Sequence, residues 1–309
     1  MLDQKQLQAL LAVYSEGSFL AAARLLNVTP AAVSLRIKAL ESTIGALVLV
    51  RGKTPRLTPQ GQAIVAHAQR TRLLDDELMR TLSMDAPSYH GGARWSSLRV
   101  AINADSLATW FLPGVACDLS AQNILLDIVI DDQDHTHEAL ATGEVAGCVT
   151  TLAKPMKGCV AEPLGTMRYQ GLAHPDLAQK VTLKSGRVST HRLLSHPAII
   201  FNRKDALHDR FLEKYLELKQ PSYPKYFVPA LDAFECAIEI GLGWGVVPQP
   251  VALHHESTMR PHISERMVEL IPGKYIEISL YWQHWARESE PAMRLTQAVK
   301  GAAKTYLRP

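Results

Sequence analysis

Cysteine is scarce and scattered: Cys117, Cys148, Cys159 and Cys236 are the four in 309 residues, and no two form a C-x-x-C pair. That spacing excludes a disulfide framework and a thiolate zinc site, and it marks the four as small buried hydrophobes in a reducing compartment. His135 with His137, and His254 with His255, lack a third ligand at suitable spacing, so neither metal nor cofactor is expected. No apolar run approaches about 18 residues, and the start, MLDQKQLQALLAVYSEGSF, has no charged-then-apolar leader. The expected location is therefore the cytoplasm, with no membrane partner. Catalytic signatures are missing as well. There is no G-x-S-x-G, and Gly241-Leu-Gly-Trp-Gly245 lacks the full G-x-G-x-x-G. That glycine run follows a predicted helix, so it reads as a helix C-cap and turn, and no enzyme is expected.

What the chain does have is an uneven distribution of charge. Its length allows two or three domains, and 47% apolar with 20% charged residues is ordinary for a globular protein. Residues 1–70 hold eight Lys/Arg against Asp3, Glu16 and Glu41, a net +5, which with +3 overall leaves −2 for the remaining 239 residues. A basic head on a slightly acidic body fits a nucleic-acid module joined to something else.

The head reads as three helices and a wing. Leu7, Leu10, Leu11 and Tyr14 recur at helical spacing over 4–15; Gly17 breaks that helix, and Ser18 caps a second over 19–26. Thr29-Pro30 opens a third to about Ile44, whose Val33, Ile37 and Leu40 form one buried stripe. Its opposite face presents Ala31, Ala32, Leu35 and Lys38, flanked by Ser34 and Arg36, with methyl groups for thymine and donors for base edges or phosphates. A strand over 46–50, a loop carrying Arg51, Lys53 and Arg56, and the return Leu57-Thr58 make a wing. The DNA-facing set is therefore Ser18, Thr29, Ala31, Ala32, Ser34, Leu35, Arg36, Lys38, Arg51, Lys53 and Arg56, directed at a double-stranded operator.

From Pro59 to about Leu82 helix formers dominate, and Ile64, Ala68, Thr71, Asp75, Leu78 and Leu82 step by four and three. Such a helix, too polar to bury in one small domain, predicts pairing with a second copy as a homodimer or homotetramer. Met84–Ser97, with Pro87, Gly91 and Gly92, reads as a hinge.

Beyond it, strand and helix alternate, which predicts α/β sheets with parallel strands in two lobes. The strands are read at 98–103, 125–130 and 146–151, and chain crossovers near 168–171 and 269–272. Small ligands bind such folds at strand C-termini and helix N-termini. The residues there are Asn103, Asp105 and Ser106; Asp131, Asp132 and Asp134; Thr150 and Thr151; and Asp232 with Glu235. A carboxylate pocket beside several acids describes a basic amino acid. The same acids also read as helix caps on a solvated surface, since Asp105, Asp134 and Asp232 precede helices.

Gly17-Ser-Phe, Ala21-Ala-Ala-Arg-Leu-Leu, Thr29-Pro-Ala-Ala-Val-Ser-Leu-Arg-Ile-Lys-Ala-Leu-Glu41, Gly45, Leu49-Val-Arg51 and Leu57-Thr-Pro-Gln-Gly61 resemble the LysR-type regulators. Leu35 departs from the pattern, for many relatives carry a polar side chain there. Asn103-Ala-Asp-Ser-Leu-Ala-Thr-Trp-Phe-Leu-Pro113, Asp131-Asp-Gln-Asp-His-Thr136, Gly143-Glu-Val-Ala-Gly-Cys148, Leu164-Gly165 and Tyr281-Trp282 resemble the ArgP/LysG subfamily, described also as inhibitors of chromosome replication initiation. The resemblance implies a winged helix-turn-helix head over 1–58 and a linker, or dimerisation, helix over 59–90. It implies a periplasmic-binding-protein-like effector domain over 91–309, with lobe I about 98–168 and 271–309 and lobe II about 169–270. It also implies L-lysine or L-arginine as effector, control of genes such as a basic amino-acid exporter, and RNA polymerase as a partner. A regulator sensing a different metabolite, and a two-lobed solute-binding protein without a regulatory role, are the alternatives.

Overall fold

The structure, a computed structural model, describes residues 2–50, 52, 55–68, 71, 95–130, 139–140, 143–249 and 267–309. Helix α1 spans Gln4–Glu16: the Asp3 side chain accepts from the Lys5 and Gln6 amides, and Gly17, at φ 64°, ends it. Helix α2 spans Phe19–Leu25, with Ser18 accepting from the Ala21 amide; helix α3 spans Pro30–Ile44, with Thr29 accepting from the Ala32 amide. Val33, Ile37 and Leu40 are fully buried against Leu10, Val13, Ala22 and Ala23. The two alanines are small enough for α2 to cross closely over its neighbours.

The wing is shorter than expected. Only β1, Leu49–Val50, pairs with β2, Arg56–Leu57. Val48 keeps one bond in register with the ladder, its carbonyl accepting from the Thr58 amide, but its amide is diverted to Glu41 Oε1 at 3.1 Å. Thr58 also caps the next helix, accepting from the Gly61 amide at 3.1 Å. Of that helix, 59–68 and 71 are described. Of the two residues read from the sequence as the start of a pairing seam, Ala68 lies in the core of the head beside Val65, and Ile64 packs partly buried against that core. The remainder of the seam, apart from Thr71, lies outside the described residues.

Among the described residues the rest of the chain builds a nine-stranded sheet in the order β4-β3-β5-β11-β6-β9-β7-β8, with β10 on β6. Strands β3 (Ser96–Ile102), β4 (Ile124–Ile130) and β5 (Gly147–Thr150) run parallel. So do β7 (Ala198–Ile200), β8 (Lys225–Phe227) and β9 (Trp244–Pro248). Between these parallel groups lies an antiparallel pair, β6 (Cys159–Ala173) and β11 (Tyr275–Trp285), which corrects the all-parallel expectation. β6 crosses the expected switch at 168–171 as one continuous strand and goes on to pair with β9, so the two halves of the sheet are stitched by covalent strands. Its alternation is hidden because both faces of its second half are covered. Short β10 is Val268–Glu269, and helices Pro175–Val181 and Thr190–Ser195 also lack a sequence signal strong enough to predict.

The helix after β3 starts at Ala104, passes through a π turn over Leu107–Phe111 and continues as Leu112–Ala121. Such wide turns are common where a helix is bent around a site. It packs on the Glu290–Tyr306 helix, and a side chain added at Gly114 would meet the Ala302 methyl at 2.4 Å. The glycine run ends the Leu231–Glu239 helix as expected, with Gly241 at φ 77° and the Leu242 amide returning to the Ala237 carbonyl. Cys148 is buried and its thiol is pushed up to about 12 by desolvation, but Cys117 and Cys236 are exposed and Cys159 is partly exposed, against the expectation that all four are buried.

Candidate DNA-binding face and effector cleft

Helix α3 is divided cleanly. Its inner stripe is inaccessible, while Leu35 is 70% exposed, an unusual state for a leucine flanked by a well-packed core. Thr29, Ala31 and Lys38 are exposed beside it; Ala32, Ser34 and Arg36 are partly exposed. Ser18 is partly exposed where α2 begins, and Arg56 is exposed on β2, opposite Val50. Arg51 and Lys53 lie outside the described residues. What remains is a convex face of methyl groups, hydroxyls and cations with no acid among the residues named, suited to a DNA groove flanked by phosphates.

The second candidate site gathers at the C-terminal ends of the parallel strands. Asn103 follows β3, and Asp105 and Ser106 occupy the first helical turn beyond it. The capping position belongs to Asn103, and Asp232 likewise sits inside the first turn of its helix, so neither Asp105 nor Asp232 precedes its helix as expected. Ser106 is fully buried, and its hydroxyl, like Asn103 Oδ1, has no hydrogen-bond partner among the described residues. Buried polar atoms of this kind are costly unless something fills the space beside them. Thr150 closes β5 at 3% exposure, its hydroxyl accepting from the Leu152 amide at 3.3 Å. Thr151, the next residue, is partly exposed.

Two residues that the sequence reading did not single out complete the cluster. Tyr169, on β6, donates its hydroxyl to Asp105 Oδ2 at 2.8 Å. Asp205 follows β7 in the other half of the sheet, held by amides of Leu207 at 2.8 Å and Phe201 at 3.4 Å. Burial pushes the Asp105 carboxyl above its ordinary value, the Tyr169 hydrogen bond opposes this, and the charge of Asp205 adds to it. Asp205 is raised in turn, by burial first and by Asp209. Asp209 itself accepts from Tyr223 Oη at 2.7 Å. Tyr169, between the two acids, is held well above its ordinary value by burial and by Asp105. The described part of the cleft therefore carries two poorly solvated carboxylates from opposite halves, with the charge of Asp205 adding to the burial of Asp105.

Of the other acids, Asp232 is exposed and Glu235 partly buried on the Leu231–Glu239 helix. Asp131, Asp132 and Asp134 lie outside the described residues. Asp205 was findable from the rule that ligands meet the C-terminal ends of parallel strands, because a strand over 198–201 is legible. Tyr169 was not, because β6 was not.

Residues 4–62 match the bacterial regulatory helix-turn-helix protein, lysR family, and residues 95–304 match the LysR substrate binding domain. The HTH-type transcriptional regulator ArgP of Pseudomonas aeruginosa is 37% identical over 304 residues, covering 98% of this chain and 96% of that protein. LysG of Mycobacterium tuberculosis is 36% identical over 307 residues, covering 99% and 95%. Among solved structures, ArgP from Mycobacterium tuberculosis superposes with a TM-score of 0.83 at 35% identity, covering 100% of this chain and 99% of that one. Full-length LysG from Corynebacterium glutamicum with bound effector Arg gives 0.76 at 33% identity, covering 99% and 100%. The relatives named are transcription regulators and not enzymes, and with both halves matched end to end this chain belongs to the LysR family of bacterial transcription regulators, in its ArgP/LysG branch.

Proposed function

We propose that the cleft between the two halves of the sensor binds a basic amino acid, L-arginine or L-lysine, and that this binding controls operator recognition by the α3 face. The observation that carries the reading is the pair of carboxylates that opposite halves of the sheet bring to the strand ends, Asp105 bonded to Tyr169 of β6 and Asp205 just after β7. Two partly buried carboxylates facing one site are unfavourable when the site is empty of charge, and a cationic side chain between them offsets both the repulsion and the desolvation. The unpartnered Ser106 hydroxyl suits the α-carboxylate as a donor, and Asn103 Oδ1 suits the α-ammonium as an acceptor. The arginine in the LysG structure supports the same ligand class.

The regulator then works by linkage. Ligand held from both sides favours a closed cleft, and the closed and open sensors present the two heads of a dimer to DNA at different angles. Operator genes for basic amino-acid export, recruitment of RNA polymerase and action in the cytoplasm follow from this reading.

A thermal-melt series with the twenty amino acids tests it. A ligand at about 100 times its dissociation constant adds about 2.7 kcal/mol to stability, which raises the melt by a few degrees. Arginine and lysine are expected to do so selectively. A flat series at saturating concentrations overturns the basic-amino-acid reading and leaves the family assignment standing.

A further inference from the structure

Among the described residues the head and the sensor meet at a polar contact within the chain. Tyr14, near the end of α1, donates its hydroxyl to Glu144 Oε2 at 2.7 Å, across 130 positions of sequence. Glu144 Oε1 is held at 3.1 Å by Arg99 Nη1, and Arg99 Nε also meets Asp127 at 3.2 Å. Beside this chain of contacts Gly143, at φ 74°, lies so close to the linker helix that an added side chain would stand 3.1 Å from the Ala66 carbonyl. A flat backbone contact and a charge-assisted hydrogen bond therefore clamp the same short turn from the head and from the linker.

What makes the contact more than a brace is where that turn leads. It runs directly into β5, whose far end is Thr150, and the Ala146 amide donates to the Arg99 carbonyl on β3 at 2.7 Å. β3 ends at Ile102, and Asn103 after it leads into Asp105 and Ser106. Arg99 and Asn103 along one strand, and Ala146 and Thr150 along the other, are each four residues apart, about 13 Å of extended chain. Each of the two strands that supply the cleft with polar groups is thus anchored, one strand-length away, to the point where the DNA-binding head rests.

We infer that Tyr14, Glu144 and Arg99 form an intrachain latch that sets the angle of the DNA-binding head, and that occupation of the cleft shifts the latch through β3 and β5. Glu144 is the pivot, because one oxygen serves the head and the other the sensor. Packed strands move as units, so a small displacement at Asn103 or Thr150 is transmitted to Arg99 and Glu144 instead of being absorbed.

Hydrogen exchange followed by mass spectrometry on the full-length protein tests the latch. Tyr14→Phe keeps the ring and removes the hydrogen bond. It is expected to speed exchange of the 144–146 amides about tenfold, the effect of losing one charge-assisted bond. Glu144→Ala, which also releases Arg99, is expected to speed it at least as much, and the double variant to be no faster than Glu144→Ala alone, because the Tyr14 hydroxyl acts here through Glu144. Unchanged exchange in Tyr14→Phe, or effects that add in the double variant, overturns the latch. With saturating L-arginine the wild type is expected to change its exchange at 144–146 and Tyr14→Phe to show no such response. This last arm rests on the basic-amino-acid reading, whose own failure shows as an absent melt shift. A melt shift with unaltered exchange at 144–146 overturns the coupling instead.

Discussion

Tyr169 and Asp105 join the longest strand of the sheet to the helix that follows β3, hydroxyl to carboxylate at 2.8 Å. β6 carries the chain from one half of the sensor into the other, so this bond ties the cleft to the strand about which the halves connect. Asp105 is consequently both a ligand candidate and a strut, and the first two expectations concern its charge.

Asp205→Asn removes the opposing carboxylate while leaving an acceptor for the Leu207 amide. The arginine-induced melt shift is expected to fall below detection in Asp205→Asn. The ligand-free protein is expected to change little in stability, because the relief of Asp105 is offset where the Phe201 amide loses Oδ2 as its acceptor. An unchanged arginine shift places the cation elsewhere.

Asp105 sets a pH dependence with a definite sign. Its folded value lies above the ordinary 3.8, so in ligand-free protein the stability it contributes is present at low pH and is lost as pH rises through the raised value. A bound cation favours the ionised form, so arginine affinity is expected to weaken as pH falls through that same value. Calorimetric titrations over a descending pH series, in two buffers of different ionisation enthalpy, are expected to show proton release on binding that appears as pH falls toward the raised value.

Burial pulls His284 downward, but the Glu288 carboxylate at 3.2 Å, the Trp285 carbonyl and Glu162 together outweigh it and hold the imidazole above its ordinary value. Its contribution is therefore complete below the unfolded value near 6.5 and fades as pH rises through the folded one. Relative to wild type, His284→Gln is expected to melt lower at pH 6, with the gap narrowing by pH 8.5.

Leu35→Gln exchanges an exposed apolar side chain for an amide on the DNA-facing surface. Stability is expected to change by less than about 0.5 kcal/mol, as for surface substitutions generally. Selection from a random duplex pool is expected to return an altered base preference. A collapsed melting temperature, or an identical preference, contradicts the placement of Leu35 at the groove.

Gly61→Ala tests how the wing is held. The added methyl would lie 2.0 Å from the Val48 carbonyl oxygen, which also accepts the Thr58 amide. Relief requires the wing or the helix to move, at a cost of about 1–3 kcal/mol. The head is expected to lose DNA affinity before the sensor loses its arginine shift.

The local order of residues determined much of this protein. Asp3, Ser18, Thr29 and Thr58 start four helices because short-range hydrogen bonds to amides three residues or fewer away need nothing from the rest of the chain. Val33, Ile37 and Leu40 likewise decide which side of α3 faces outward, since helical periodicity assigns faces without reference to a partner. The tertiary structure decided what depends on distant segments meeting. The second half of β6 has no legible alternation because it is covered on both faces, so its antiparallel pairing with β11 and the arrival of Tyr169 at Asp105 appear only in the folded sheet. Asp205, 100 positions from Asp105 in the chain, is perturbed because folding brings two carboxylates into one poorly solvated space. Ile64 and Ala68 show the same limit from the other side. A spacing of four names the face of a helix, but which neighbour covers that face depends on where the rest of the chain is packed.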